Sequence, residues 1–284
     1  MRIRWKWKIL LPLFLLLLLI PGSVSDASQK RRTGTGQVVE IPDKWTAFTG
    51  NINTHKEPEL KILIVGNSLS GLNDMGETLQ KLAQAGGHRI QVEVLWKNGC
   101  PLYRYASASH TMGKRLRRLL KSQEWDYVIL QENTPNVISE DSSVPKAAQR
   151  LSKLIRKYGA EPMFLETWAP EEGHKVYKKA DYQGISRGQL QRRVKRLFKR
   201  LGKTNQASVI WAGEVFWELK DNQKVDLIAA DYKHPTAEGS YAMACACYMT
   251  LFQEKIPGWN GSVKEEHAKV IRRTAFQMLK NYHF

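Results

Sequence analysis

At 284 residues, with 42% hydrophobic and 25% charged side chains, the chain can bury one sizeable core, and its length suits one large domain or two small ones. Twenty glycines, 11 prolines and no short repeat exclude collagen-like, low-complexity and solenoid architectures, and three cysteines cannot supply a disulfide framework in place of a core. Lysine and arginine (44) outnumber aspartate and glutamate (27), giving a formal charge of +17.

The chain opens with Arg2, Arg4, Lys6 and Lys8, then an apolar run from Ile9 to Ile20, then Pro21, Gly22 and small polar residues. This pattern predicts a signal peptide over 1–25, because the run falls short of the roughly 20 residues that span a bilayer and Pro12 interrupts it. An uncleaved leader acting as a membrane anchor is the alternative. Either way the protein is expected to be exported, to the periplasm or beyond. Removing 1–25 leaves 40 basic and 27 acidic side chains, so the exported chain keeps +13. In that setting the charge favours anionic polysaccharide or membrane surfaces over nucleic acid. Residues 26–59 lack periodicity and are expected to form a loosely structured arm.

From Leu60 the pattern changes. Lys61–Val65 predicts a buried strand, Met75–Ala85 a helix ended by Gly86 and Gly87, Ile90–Trp96 a second strand and Met112–Lys121 a basic helix. A strand at Tyr127–Gln131, a helix at Val144–Tyr158 and a strand at Met163–Glu166 follow. Then come a helix from about Gln189 to Leu201, a strand at Val209–Ala212, and helices near Thr236–Gln253 and Ser262–Leu279. Alternation at this spacing predicts an α/β domain over 60–284 with a parallel sheet covered on both faces, and function at the carboxyl ends of its strands.

That end of the first strand reads Gly66-Asn67-Ser68. Glycine lets the backbone turn sharply, and a serine there presents its hydroxyl and its amide to the crevice. Far downstream stands Asp231-Tyr232-Lys233-His234-Pro235. An imidazole is a dependable base for a hydroxyl when a carboxylate fixes its tautomer, and Asp and His three residues apart on a turn can meet. Pro235 suits the first position of the helix that follows. Ser68, Asp231 and His234 are therefore a candidate triad.

On these residues the stretch Leu60–Phe252 resembles the SGNH (GDSL-like) hydrolases, and within them a bacterial-type branch whose first block reads Gly-Asn-Ser. The resemblance implies a flavodoxin-like three-layer αβα sandwich with about five parallel strands, and ester hydrolysis without metal or organic cofactor. It implies Ser68 as nucleophile, His234 as base and Asp231 as its partner. The oxyanion hole would use the amides of Ser68 and Gly99, the latter in Asn98-Gly99 after the second strand. The third block departs from the common Gly-x-Asn-Asp, reading Leu130-Gln131-Glu132-Asn133, so either Gln131 or Asn133 supplies the third donor. Asn67 and Trp168 are the expected substrate-binding residues, Trp168 either walling an acyl or sugar pocket or packing beneath its loop.

Cys245 and Cys247, two apart on a helix, and Cys100 are expected to be packing residues, while His55, His88, His110, His174, His267 and His283 show no ligand spacing. Arg187–Arg200 is amphipathic, its basic face either solvated or touching an anionic surface. Asn260-Gly261-Ser262 fits a glycosylation acceptor. The function expected is an exported serine esterase acting on a small-molecule or glycan ester, removing acetyl or another short acyl group. A lipid esterase or acyltransferase would use the same residues, and a catalytically silent protein binding anionic polymers is the rival from another class.

Overall fold

The computed structural model describes residues 59–280, apart from positions 140, 142 and 223. The expected leader, all but the last residue of the expected arm, His55 and His283 lie outside the described residues.

Five strands form one parallel sheet in the order β2-β1-β3-β4-β5: β1 (Leu60–Gly66), β2 (Ile90–Trp96), β3 (Tyr127–Gln131), β4 (Glu161–Leu165) and β5 (Ser208–Ile210). Ile62 to Val65 are wholly buried. That fits an unbroken apolar run: a parallel strand covered on both faces has no solvent side to mark by alternation. The helices are α1 (Ser68–Gly71), α2 (Met75–Ala85), α3 (Leu102–Ala106), α4 (Thr111–Ser122), α5 (Thr134–Ile138), α6 (Ser143–Lys157), α7 (Arg187–Asn205), α8 (Ala212–Glu218), α9 (Ala237–Phe252) and α10 (Glu265–Leu279). Two short 3-10 turns, Lys175–Lys178 and Ala180–Tyr182, lie between β4 and α7.

One helical group is α2, α8, α9 and α10, and α3 to α7 pack among themselves as the other. Right-handed crossovers running in opposite directions from β1 place the groups on opposite faces of the sheet. This is the flavodoxin-like three-layer α/β arrangement that the sequence leads one to expect. Its chain reverses direction between β1 and β3, and the crevice outside the carboxyl ends of those strands is where such sheets bind ligands.

Local chemistry explains most boundaries. Ser186 and Gln189 form a reciprocal capping box, which starts α7 at Arg187, two residues before the expected Gln189. The strand expected over Val209–Ala212 ends at Ile210, and Ala212 begins α8. Pro235 is not the first residue of its helix: Thr236 caps α9, its hydroxyl accepting from the Gly239 N–H at 3.0 Å, while Pro235 pairs with Ile228 in an isolated bridge. α9 is buried from Gly239 to Thr250, so its uniformly apolar sequence reflects burial on every side. Cys100, Cys245 and Cys247 are buried free thiols. Among the described residues no helix is long and apolar enough to cross a membrane.

Candidate active site

The site begins where β1 ends. A Cβ on Gly66 would lie 2.5 Å from Gln131 Oε1 and Ser70 Oγ, so close approach demands glycine here. Asn67 then caps α1, its Oδ1 accepting from the Leu69 N–H at 3.1 Å, and Ser68 is the first helical residue. The Asn67 amide N–H donates to Gln131 Oε1 at 3.0 Å, and the Ser70 hydroxyl donates to the same oxygen at 3.1 Å. Gln131 Nε2 donates to the Glu132 carbonyl. This buried side chain therefore clamps the Ser68 turn to β3, with both ends of its amide occupied.

The second half of the site is the turn Asp231–His234. Asp231 Oδ1 accepts from the Lys233 N–H (3.1 Å) and the His234 N–H (2.9 Å), and Tyr232 takes φ +64°, a left-handed conformation that lets the chain fold back. Asp231 Oδ2 accepts from His234 Nδ1. Burial alone would raise the Asp231 carboxyl, but the hydrogen bonds from the His234 ring, its amide and the Lys233 amide prevail and hold it at about 2. Trp168 supports this turn from below: its indole N–H donates to the Lys233 carbonyl at 3.0 Å while its ring stacks on Phe216 at 3.8 Å. With 2% of its surface exposed, Trp168 packs beneath the turn, the second of its two expected placements, and offers no open wall to a ligand.

The two halves meet. Ser68 Oγ lies 2.9 Å from His234 Nε2, across 166 residues of sequence. Asn73, which the sequence did not single out, helps hold them together: its Nδ2 lies 3.0 Å from the carbonyls of Pro235 and Thr236 and from Ser240 Oγ. Ser68 itself is 5% exposed.

Gly99 follows β2 with φ +59°, and a Cβ there would meet nothing, so glycine is required by backbone conformation rather than crowding. Asn133 Nδ2 donates to the Gly99 carbonyl at 3.3 Å, tying the exits of β2 and β3 together. The Asn133 side chain is partly exposed, unlike Gln131. Asn67 Nδ2 is buried and has no hydrogen-bond partner among the described residues. Between these groups sits Glu132, 1% exposed, accepting from the amides of Leu102 and Asn133. Burial outweighs those hydrogen bonds and raises its carboxyl to about 7. The described histidines outside the candidate triad are locally bonded: His88 pairs with Glu254, His267 with Glu238, His110 caps α4 and His174 caps the first 3-10 turn.

No protein-family model and no curated protein sequence matches the chain. Solved structures do match. A protein of the DUF4886 family from Bacteroides uniformis superposes with a TM-score of 0.67 at 19% identity, over 79% of this chain and 96% of its own. A candidate SGNH hydrolase from Slackia heliotrinireducens gives 0.59 at 23% identity, over 68% of this chain and all of its own. An acetyl xylan esterase gives 0.52 at 16% identity, again over 68% and 100%. The chain thus has a doubly wound α/β architecture with a parallel sheet and its candidate site at the switch point. More narrowly, its fold is that of the SGNH hydrolases.

Proposed function

We propose that this protein is an exported serine esterase that removes acetyl or another short acyl group from carbohydrate. The observation that carries the reading is the chain of contacts from Ser68 Oγ to His234 Nε2 and from His234 Nδ1 to Asp231. In the proposed reaction His234 Nε2 takes the Ser68 proton as Oγ attacks the ester carbonyl. Asp231, ionised throughout the neutral range, keeps the Nδ1 proton in place and stabilises the imidazolium. The Ser68 amide has no intrahelical acceptor at the first position of α1, and with the Gly99 amide and Asn133 Nδ2 it receives the oxyanion. Gln131 is assigned to holding the turn, because it is wholly buried with its Oε1 accepting from Asn67 and Ser70, whereas Asn133 is partly exposed and keeps a second Nδ2 hydrogen for the oxyanion. His234 then protonates the departing alcohol, and a water activated by the same ring releases the acyl group.

A sugar substrate is supported by where aromatic surface is exposed. The exposed large hydrophobic side chains among the described residues are Trp96, at the end of β2, Tyr103, in the helix after it, and Tyr232, in the His234 turn. All three belong to segments at the carboxyl edge of the sheet, where aromatic faces can stack on the C–H face of a pyranose. Asn67 Nδ2, a buried donor beside Ser68 without an acceptor among the described residues, suits a substrate oxygen. That one similar structure is an acetyl xylan esterase agrees with this choice. The basic apolar leader supports export.

The test is labelling with a fluorophosphonate probe together with hydrolysis of acetylated sugars. Ser68→Ala should lose labelling and lower kcat by at least about 10³-fold, with its thermal midpoint within a few degrees of the parent. Labelling that survives in Ser68→Ala moves the nucleophile elsewhere.

A further inference from the structure

Beside the triad turn lies a cavity of about 230 Å³. By the share of liquid volume per water, about 30 Å³, it has room for roughly seven waters, or for one sugar ring or short acid chain. Two of its lining residues adjoin the site: Thr134 follows Asn133, and Lys233 precedes His234. Pro135, Ile138, Pro170 and Val176 supply apolar surface. The rest of the lining is Lys175, Lys179 and His174, so three lysines and no carboxylate contribute to a wall whose surface is mostly apolar.

Those lysines stand without acidic partners, as do most lysines among the described residues. None forms an ion pair with a carboxylate among the described residues. Burial pushes the half-buried Lys233 ammonium down, Asp231 opposes this, and the charge of Lys175 adds to the lowering. His174 is lowered too, by burial and then by Lys233 and Lys175, and its Nδ1 accepts from the Val176 N–H at 3.2 Å, which leaves its other nitrogen to carry the proton. The cluster is thus a set of cations and donors that repel one another, an arrangement a bound anion would relieve. Thr134 adds an independent sign: its hydroxyl is buried and has no hydrogen-bond partner among the described residues. A buried donor of this kind is costly unless an oxygen accepts from it.

We propose that the cavity is a subsite for an anionic oxygen-bearing group of the ester substrate, held by Lys175, Lys179, Lys233 and the Thr134 hydroxyl while the ester carbon stands at Ser68. The inference rests on the serine-esterase reading and narrows it to esters of acidic compounds. The negative group lies either on the alcohol side, as in an acetylated uronic acid, or on the acyl side, as in a dicarboxylic half-ester.

Two matched pairs separate these sources: acetylated methyl glucuronide against acetylated methyl glucoside, and 4-nitrophenyl hydrogen succinate against 4-nitrophenyl butyrate. In one pair the acidic member should show a kcat/KM about tenfold or more above its neutral mate at low salt, a factor worth 1.4 kcal/mol, and the gap should shrink in about 0.5 M salt. The pair that responds identifies the side carrying the charge. In the double variant Lys175→Gln/Lys179→Gln the ratio should fall to within about threefold of unity. Thr134→Val should raise KM for the preferred acidic ester while leaving the fold intact, since it removes an unpartnered hydroxyl. Equal rates within both pairs, or a ratio untouched by the double variant, would overturn the subsite and leave the esterase standing. If the parent cleaves none of the four esters, the esterase reading fails instead, and calorimetry with methyl glucuronide and succinate decides the subsite. Saturable binding that the double variant loses would uphold it, and the absence of binding would end it.

Discussion

Gln131 and Asn133 stand two residues apart at the exit of β3, and their surroundings divide them. Truncating Gln131 to alanine strips partners from the Asn67 amide and the Ser70 hydroxyl, both buried, and should cost about 1–3 kcal/mol of stability in denaturant titration. Truncating Asn133, partly exposed beside Gly99, should instead lower kcat by about 10²- to 10³-fold with little change in the unfolding midpoint. Glu132 between them makes a pH prediction. Its folded carboxyl sits near 7 against 4.5 in the unfolded chain, so from pH 4.5 to 7 the native state holds a proton that the unfolded state has lost. Stability should therefore fall as pH rises through that window, by on the order of 3 kcal/mol from this one group, and the full penalty persists above pH 7. Glu132→Gln should flatten that part of the slope in urea titrations across pH. An unchanged slope would place the proton on another group.

Among the elements, the strands and long helices could be read from the sequence because each carries its own signature: β-branched runs for β1 to β3, periodic apolar positions for α6 and α7. The short helices α1, α3, α5 and α8 span one or two turns, too few for a period to show. The start of α7 was available in Ser186 and Gln189, whose capping-box spacing outranks the apolar stripe as a boundary signal. Contacts between elements are a different matter. Nothing local marks Asn73 as the residue that joins the Ser68 loop to the start of α9, since its acceptors lie more than 160 residues away. As a positioning residue it should act through geometry: Asn73→Ala should lower kcat about tenfold on acetyl esters while KM stays within about twofold. Trp168→Phe keeps a ring against Phe216 but removes the donor to the Lys233 carbonyl, and should produce the same split with a smaller fall in kcat.

At the scale of the molecule, the candidate triad was legible for a topological reason. A parallel α/β sheet gathers strand ends at one edge, so a serine after the first strand and an Asp-x-x-His before the last helices are brought toward one crevice whatever lies between. The part Gln131 plays, and the choice between the two placements expected for Trp168, were not legible, because burial beneath a loop is decided by packing that spacing does not encode. The described residues, from Glu59 to Lys280, belong to one compact unit by their internal packing. A chain beginning at His55 is therefore expected to fold by itself and to unfold with coincident transitions by tryptophan fluorescence and far-ultraviolet circular dichroism. Separated midpoints would reveal a division within it.

The separation of 166 residues between Ser68 and His234 has a temporal meaning. Any machine that releases this polypeptide from its amino end, whether ribosome or translocation pore, frees the serine long before the histidine emerges. Under the proposed chemistry the hydroxyl is an ordinary alcohol until about the final fifth of the chain, which carries Asp231 and His234, has docked, so a nascent or stalled molecule would not attack esters it meets on the way. Under the proposed chemistry, reactivity is thereby timed by completion of the fold.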